Sequence, residues 1–114
     1  MALDHLSPDD LEVVRQCLLA TVGGPFLPDW EFQTLMGLTR AEITDIATSW
    51  PSDERQFVAV NNALNNLLGY PHKQHNEWTQ YISVNPTEVA QVLARWRGEE
   101  RDEHWRTGWP SRLL

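Results

Sequence analysis

Residues 57–72 read FVAVNNALNNLLGYPH. The spacing of their apolar residues decides between helix and strand. At about 100° per residue, Phe57, Val60, Leu64, Leu67 and Leu68 gather into one stripe, the mark of an amphipathic helix. No period-two alternation competes with it. The helix is predicted to end near Gly69, with Tyr70-Pro71 as a turn. Inside it lie four asparagines, mediocre helix formers because their short amides compete for nearby backbone groups. The helical wheel divides them. Asn61 falls at the edge of the stripe and is predicted to be a partly buried structural residue that ties a loop or helix. Asn62 and Asn66 stand four apart on the opposite side, neighbours on the surface, predicted to face water or a partner. Asn65 lies between these roles. A ladder of Asn62 and Asn66 across a two-fold axis would make this helix a dimer seam.

On either side of this stretch the same grammar recurs. Ser7, Pro8, Asp9 and Asp10 open a first helix with a cap, a first-turn proline and dipole-matched acids. Leu11, Val14, Leu18 and Leu19 form its stripe, and Gly23-Gly24-Pro25 stops it. A second helix is predicted in PDWEFQTLMG (28–37), with Asp29 as its cap and Phe32, Leu35 and Met36 inward. Thr39-Arg40-Ala41-Glu42 is a capping-box pattern that starts a third, which Pro51 closes. Asp53 is read as the cap of the helix that carries the asparagines. A short segment, QHNEWTQYI (74–82), gathers Trp78, Tyr81 and Ile82. Asn85-Pro86 opens a last helix with Val89, Val92, Leu93 and Trp96, interrupted at Gly98. Trp30 and Trp50, at helix ends, are read as structural rings that seal the core. The expected fold is all-α, a compact bundle of five or six short helices in a single domain over residues 1–98. A Trp/Arg-rich C-terminal tail (99–114) is expected to dock on it.

Residues 25–72 also carry a Pro-Asp-Trp-Glu-Phe start (28–32) and a Gly-Leu-Thr-Arg-Ala-Glu segment (37–42). A Trp-Pro pair (50–51) and the block NNALNNLLGYPH (61–72) follow. In these features the chain resembles a family of small uncharacterised bacterial proteins. The resemblance implies a bacterial source and attaches no activity.

Charge narrows the function classes. The chain of 114 residues has a net charge of −7. Before Arg95, twelve carboxylates face four cations; from Arg95 onward, five arginines face four. An acidic body opposes nucleic-acid binding, whose affinity comes from neutralising phosphates. A regulator of transcription would have to use the stretch from Arg95 to Arg106, where four acids oppose it. No apolar run reaches the roughly 18 residues of a membrane helix. The start MALDHLSPDD lacks the pattern of a signal peptide. The single Cys17 sits beside an apolar stripe. A cytoplasmic location is expected.

Candidate chemistry is sparse. His72, His75 and Glu77 form a weak metal set, with His104, Asp102 or Glu103 as further ligands that nothing in the sequence brings near. There is no nucleophile elbow and no phosphate-binding loop. Paired carboxylates sit where capping explains them. No cofactor and no enzyme activity are expected. The tail holds Trp105, Trp109, Arg101 and Arg106, residue types enriched at interface hot spots. The sequence therefore reads as a non-enzymatic module for protein–protein interaction, of immunity, antitoxin-like or regulatory type. Its binding residues would be Asn62, Asn66, Trp105, Trp109, Arg101 and Arg106, toward a protein partner or a second copy. The alternative is a small metal- or ligand-binding protein using His72, His75 and Glu77.

Overall fold

The computed structural model describes residues 6–51 and 56–98. The domain is all-α. Among the described residues six helices run in order: α1 (Pro8–Gly23), α2 (Asp29–Met36), α3 (Arg40–Ser49), α4 (Gln56–Gly69), α5 (Trp78–Tyr81) and α6 (Pro86–Arg97). A 3₁₀ turn, His75–Glu77, leads into α5. No strand occurs among the described residues. Asp53 and the tail after Gly98 lie outside them, and with the tail go Trp105, Trp109, Arg101 and Arg106.

Local chemistry sets the helix starts. Ser7 Oγ accepts the Asp10 N–H at 3.1 Å, and Asp10 in return accepts the Ser7 N–H at 3.2 Å. Thr39 and Glu42 repeat the box at 3.2 and 2.9 Å, and Asn85 accepts the Glu88 N–H at 2.9 Å. Each satisfies donors the helix cannot satisfy itself. The cap of α2 differs from expectation. Pro28 holds that position and Asp29 is the first helical residue, with no side-chain cap bond. Gly37 and Gly98 end α2 and α6 in the left-handed conformation, at φ 75° and 73°.

Helices α1 and α4 form the centre. α3 lies against α1, α2 against α4, and α6 against both α1 and α4. Val14, Cys17, Leu18, Met36, Ile43, Ile46, Val60, Leu64, Val89 and Trp96 are fully buried between them. Each large aliphatic there contributes about 1.5–3 kcal/mol. Cys17 is inert, its thiol pushed up to about 12 by burial. Two of the predicted stripe positions are outside. Leu19 and Phe57 are exposed, Phe57 at 56 %. Phe57 rests one face near Trp96, at 5.9 Å between ring centroids, because the face that α4 buries, from Ala59 and Ala63 to Leu64, is rotated away from it.

Polar ties cross between helices. Arg95 forks onto Asp10 at 2.9 and 3.0 Å, joining α6 to the start of α1. Partial burial would raise the Asp10 carboxyl, but the Arg95 and Ser7 bonds outweigh it and hold it below the usual range. Gln16 on α1 accepts the N–H and hydroxyl of Ser83 at 2.8 and 2.9 Å. Trp50 does seal the core as expected: its indole N–H donates to the Leu11 carbonyl at 3.0 Å.

Candidate functional site

The asparagine helix is held on two sides. Asn62 Nδ2 donates to the Met36 carbonyl at 2.8 Å. Asn66 Nδ2 donates to the Leu35 carbonyl at 2.9 Å and to the Asn62 carbonyl at 2.9 Å. The pair expected to face water or a partner is therefore half-buried beneath α2, and its donors serve the orphan carbonyls at that helix's C-terminus. The correction has a simple cause. The wheel gives an azimuth, and another helix of the same chain occupies it. Asn61 is half-buried as predicted, but its tie is a side chain: its Oδ1 accepts Arg97 Nε at 2.8 Å. Asn65 is exposed, and its side chain has no hydrogen-bond partner among the described residues.

Helix α2 is braced at its other end as well. The Tyr70 hydroxyl donates to Glu31 at 2.6 Å, and that bond raises the pKa of the phenol. Arg40 reaches back from α3 to donate to the carbonyls of Thr21 (3.1 Å), Val22 (2.6 Å) and Leu27 (3.2 Å). It also pairs with Asp29 at 2.7 Å and covers the Phe32 ring at 4.3 Å. One guanidinium thus satisfies the C-terminus of α1 and positions the start of α2. Sequence places Arg40 only inside a capping box. Its partners lie 11 to 19 residues upstream, beyond any local pattern.

What α2 presents is Trp30. Its place at a helix end predicts a structural ring, yet it is 79 % exposed, on the face of α2 opposite Phe32 and Met36. Gln33, Thr34 and Gly37 share that outer side. An indole held in water on a firmly braced helix is the most conspicuous apolar group on the described surface.

Among the described residues the histidine cluster forms no metal centre. Gln74 N–H donates to His72 Nδ1 at 2.9 Å, so the proton lies on Nε2, which faces the Leu67 carbonyl at 3.1 Å. Both nitrogens of the buried ring are spent on backbone, and no lone pair is left for a metal. Burial holds His72 below its ordinary pKa and the nearby His75 adds to this, although the bond to Leu67 opposes them. Phe26 stands edge-on to His72 at 4.9 Å, and His75 lies 5.0 Å away. Glu77 accepts the Gln80 amide. Among the described residues no group of three or more His, Cys, Asp or Glu is placed to hold a metal ion.

Among the concavities of the described surface, two bear on function. One, of about 330 Å³, lies between α4 and α6 over Leu68, Gly69, Ala90 and Leu93, with Asn65 and Thr87 at its rim. The other, of about 300 Å³, runs beside Asp9, Asp10, Glu12 and Glu88 with Arg95 among them. No helix of the described residues is long and apolar enough to cross a membrane. No family model, curated protein or solved structure matches the chain.

Proposed function

We propose that this chain is a non-enzymatic protein-interaction module that offers α2 to a protein partner, with Trp30 as the anchor. The observation that carries the reading is the 79 % exposure of Trp30 on a braced helix. An isolated eight-residue helix is unstable in water. Here Arg40, Asn62, Asn66 and Tyr70 hold it in place, so little ordering entropy opposes docking. Asp29 and Glu31 flank the indole, and the whole chain carries −7. The complementary partner has an aromatic-sized pocket with a cationic rim. Masking a basic toxin or a nucleic-acid enzyme, in the manner of an immunity protein or antitoxin, suits both features.

The test uses wild-type and Trp30→Ala proteins as paired baits in an extract of the source organism, followed by titration calorimetry with the purified partner. Trp30→Ala is expected to weaken binding by about 2 kcal/mol or more, roughly 30-fold, while its melting temperature stays put. A partner that binds the variant as tightly as wild type, or an extract that yields no partner, removes the reading.

A further inference from the structure

Helix α4 contains no Asp, Glu, Lys or Arg over its 14 residues, in a chain that is 22 % charged. Part of it is buried, but its outer strip is also free of charge. At the N-terminal end, Phe57 and Val58 stand out of the surface, 56 % and 46 % exposed. At the C-terminal end, Leu68 and Gly69 form one wall of the 330 Å³ groove against α6. A knob and a hollow thus occupy opposite ends of one helix. They also lie on one line. Phe57 and Leu68 are eleven residues apart, as are Val58 and Gly69, and eleven residues make about three full turns over about 17 Å. Val58, Asn65 and Gly69, seven and four residues apart, share one side of the helix.

Position 69 has no side chain to narrow the hollow. A Cβ there would meet nothing within 4 Å, and the backbone has no positive φ that demands glycine. Nothing within the described chain accounts for the residue. Asn65, midway along the strip, has an amide with no partner among the described residues.

We propose that α4 is the seam of an antiparallel homodimer, in which Phe57 and Val58 of each copy fill the groove beside Gly69 of the other. A two-fold axis near residues 63 and 64 exchanges the two ends of the helix, so one strip supplies both knobs and both hollows. Asn65 then faces Asn61 of the second copy, near the axis. The knob and the hollow on one helix select a second copy as the occupant, and charge permits it. Two chains of −7 repel over most of their surfaces, and an uncharged strip is where they can meet with no like charges opposed. Arg97 lies at the margin, bonded to Asn61. This seam is displaced around α4 from the Asn62/Asn66 side, which α2 covers. It is separate from the Trp30 face, and neither proposal depends on the other. Fourteen residues span about 21 Å, so the interface is modest and the dimer is concentration-dependent.

Sedimentation equilibrium and native mass spectrometry of the full chain test it. Val58→Glu lies in the first turn of α4 and Gly69→Lys in the last, so both charges agree with the helix dipole and the fold is retained. Wild type is expected to pass from monomer to dimer as concentration rises. Each variant alone is expected to raise the dissociation constant tenfold or more. Mixed in equal amounts, they are expected to form a heterodimer, since antiparallel packing sets the carboxylate introduced in one variant against the ammonium introduced in the other. Asn65→Lys is the second disrupting variant if circular dichroism shows that either misfolds. Wild type that stays monomeric up to about 1 mM overturns the proposal and leaves the groove to a small apolar ligand or an unlike protein. A dimer that the variants leave intact overturns it as well, as does a mixture that fails to pair.

Discussion

Asn66 turns the low helix propensity of asparagine to structural use. Its amide donates to two carbonyls, one at the end of another helix. An acid at this position keeps the size and loses the donor. Asn66→Asp is therefore expected to lower the unfolding free energy by about 2–3 kcal/mol, more than Asn66→Ala at about 1–2 kcal/mol. Asn65→Asp, one residue away in open water, should stay within about 0.5 kcal/mol. Urea unfolding at neutral pH measures all three. Azimuth alone separates Asn61 from Asn62 and Asn66; the structure sends them to different helices, α6 and α2, but half-buries all three. It could not show that Met36 and Leu35, some thirty residues upstream, supply the acceptors. A hydrogen bond between distant segments leaves no periodic trace.

Among the elements, boundaries written in adjacent residues were legible. The boxes at Ser7/Asp10 and Thr39/Glu42 span three residues, and both form. The end of α1 rests on two glycines with opposite demands. A Cβ on Gly24 would fall 2.6 Å from the Ala20 carbonyl oxygen and 2.9 Å from the Phe26 ring, whereas one on Gly23 meets nothing. Gly23→Ala is expected to stabilise the protein by about 0.5–1 kcal/mol, through helix propensity. Gly24→Ala is expected to destabilise it by about 2 kcal/mol or more, through the forced shift of Phe26 and its neighbours. Thermal melts of the two single variants should move in opposite directions. The short α2 was legible as a helix, but its exposed Trp30 was not: an aromatic residue at a helix end reads as a core seal until the other helices are placed.

Across the molecule, His72 links stability to pH. Its pKa is lowered in the folded state, so the unfolded chain binds the proton more readily. The contribution of the neutral ring is complete above the unfolded value of about 6.5 and is lost as pH falls below it toward the folded value. Protonation would set a new Nδ1–H against the Gln74 N–H and remove that bond. Melting temperature should accordingly fall between pH 7 and pH 5, and His72→Phe should flatten that slope while lowering the plateau. Asp10 acts in a separate window. Its lowered carboxyl pKa supports the fold above the ordinary value of 3.8, and that support is lost only at more acid pH. A melting curve that is level from pH 7 to pH 5 would contradict the His72 assignment.

The helix class, the number of elements to within one, most of their ends and the central stripe of α4 follow from the order of amino acids alone. These depend on periodicity and on caps whose partners sit within one turn. The roles of the remaining faces came from packing. It placed α2 over Asn62 and Asn66, bound both nitrogens of His72 to backbone, and set Arg40 across three segments. It also left Trp30, Phe57 and Val58 in water. Such outcomes depend on which helix lies against which, and that is settled by the whole core together rather than by the residues of any one stretch.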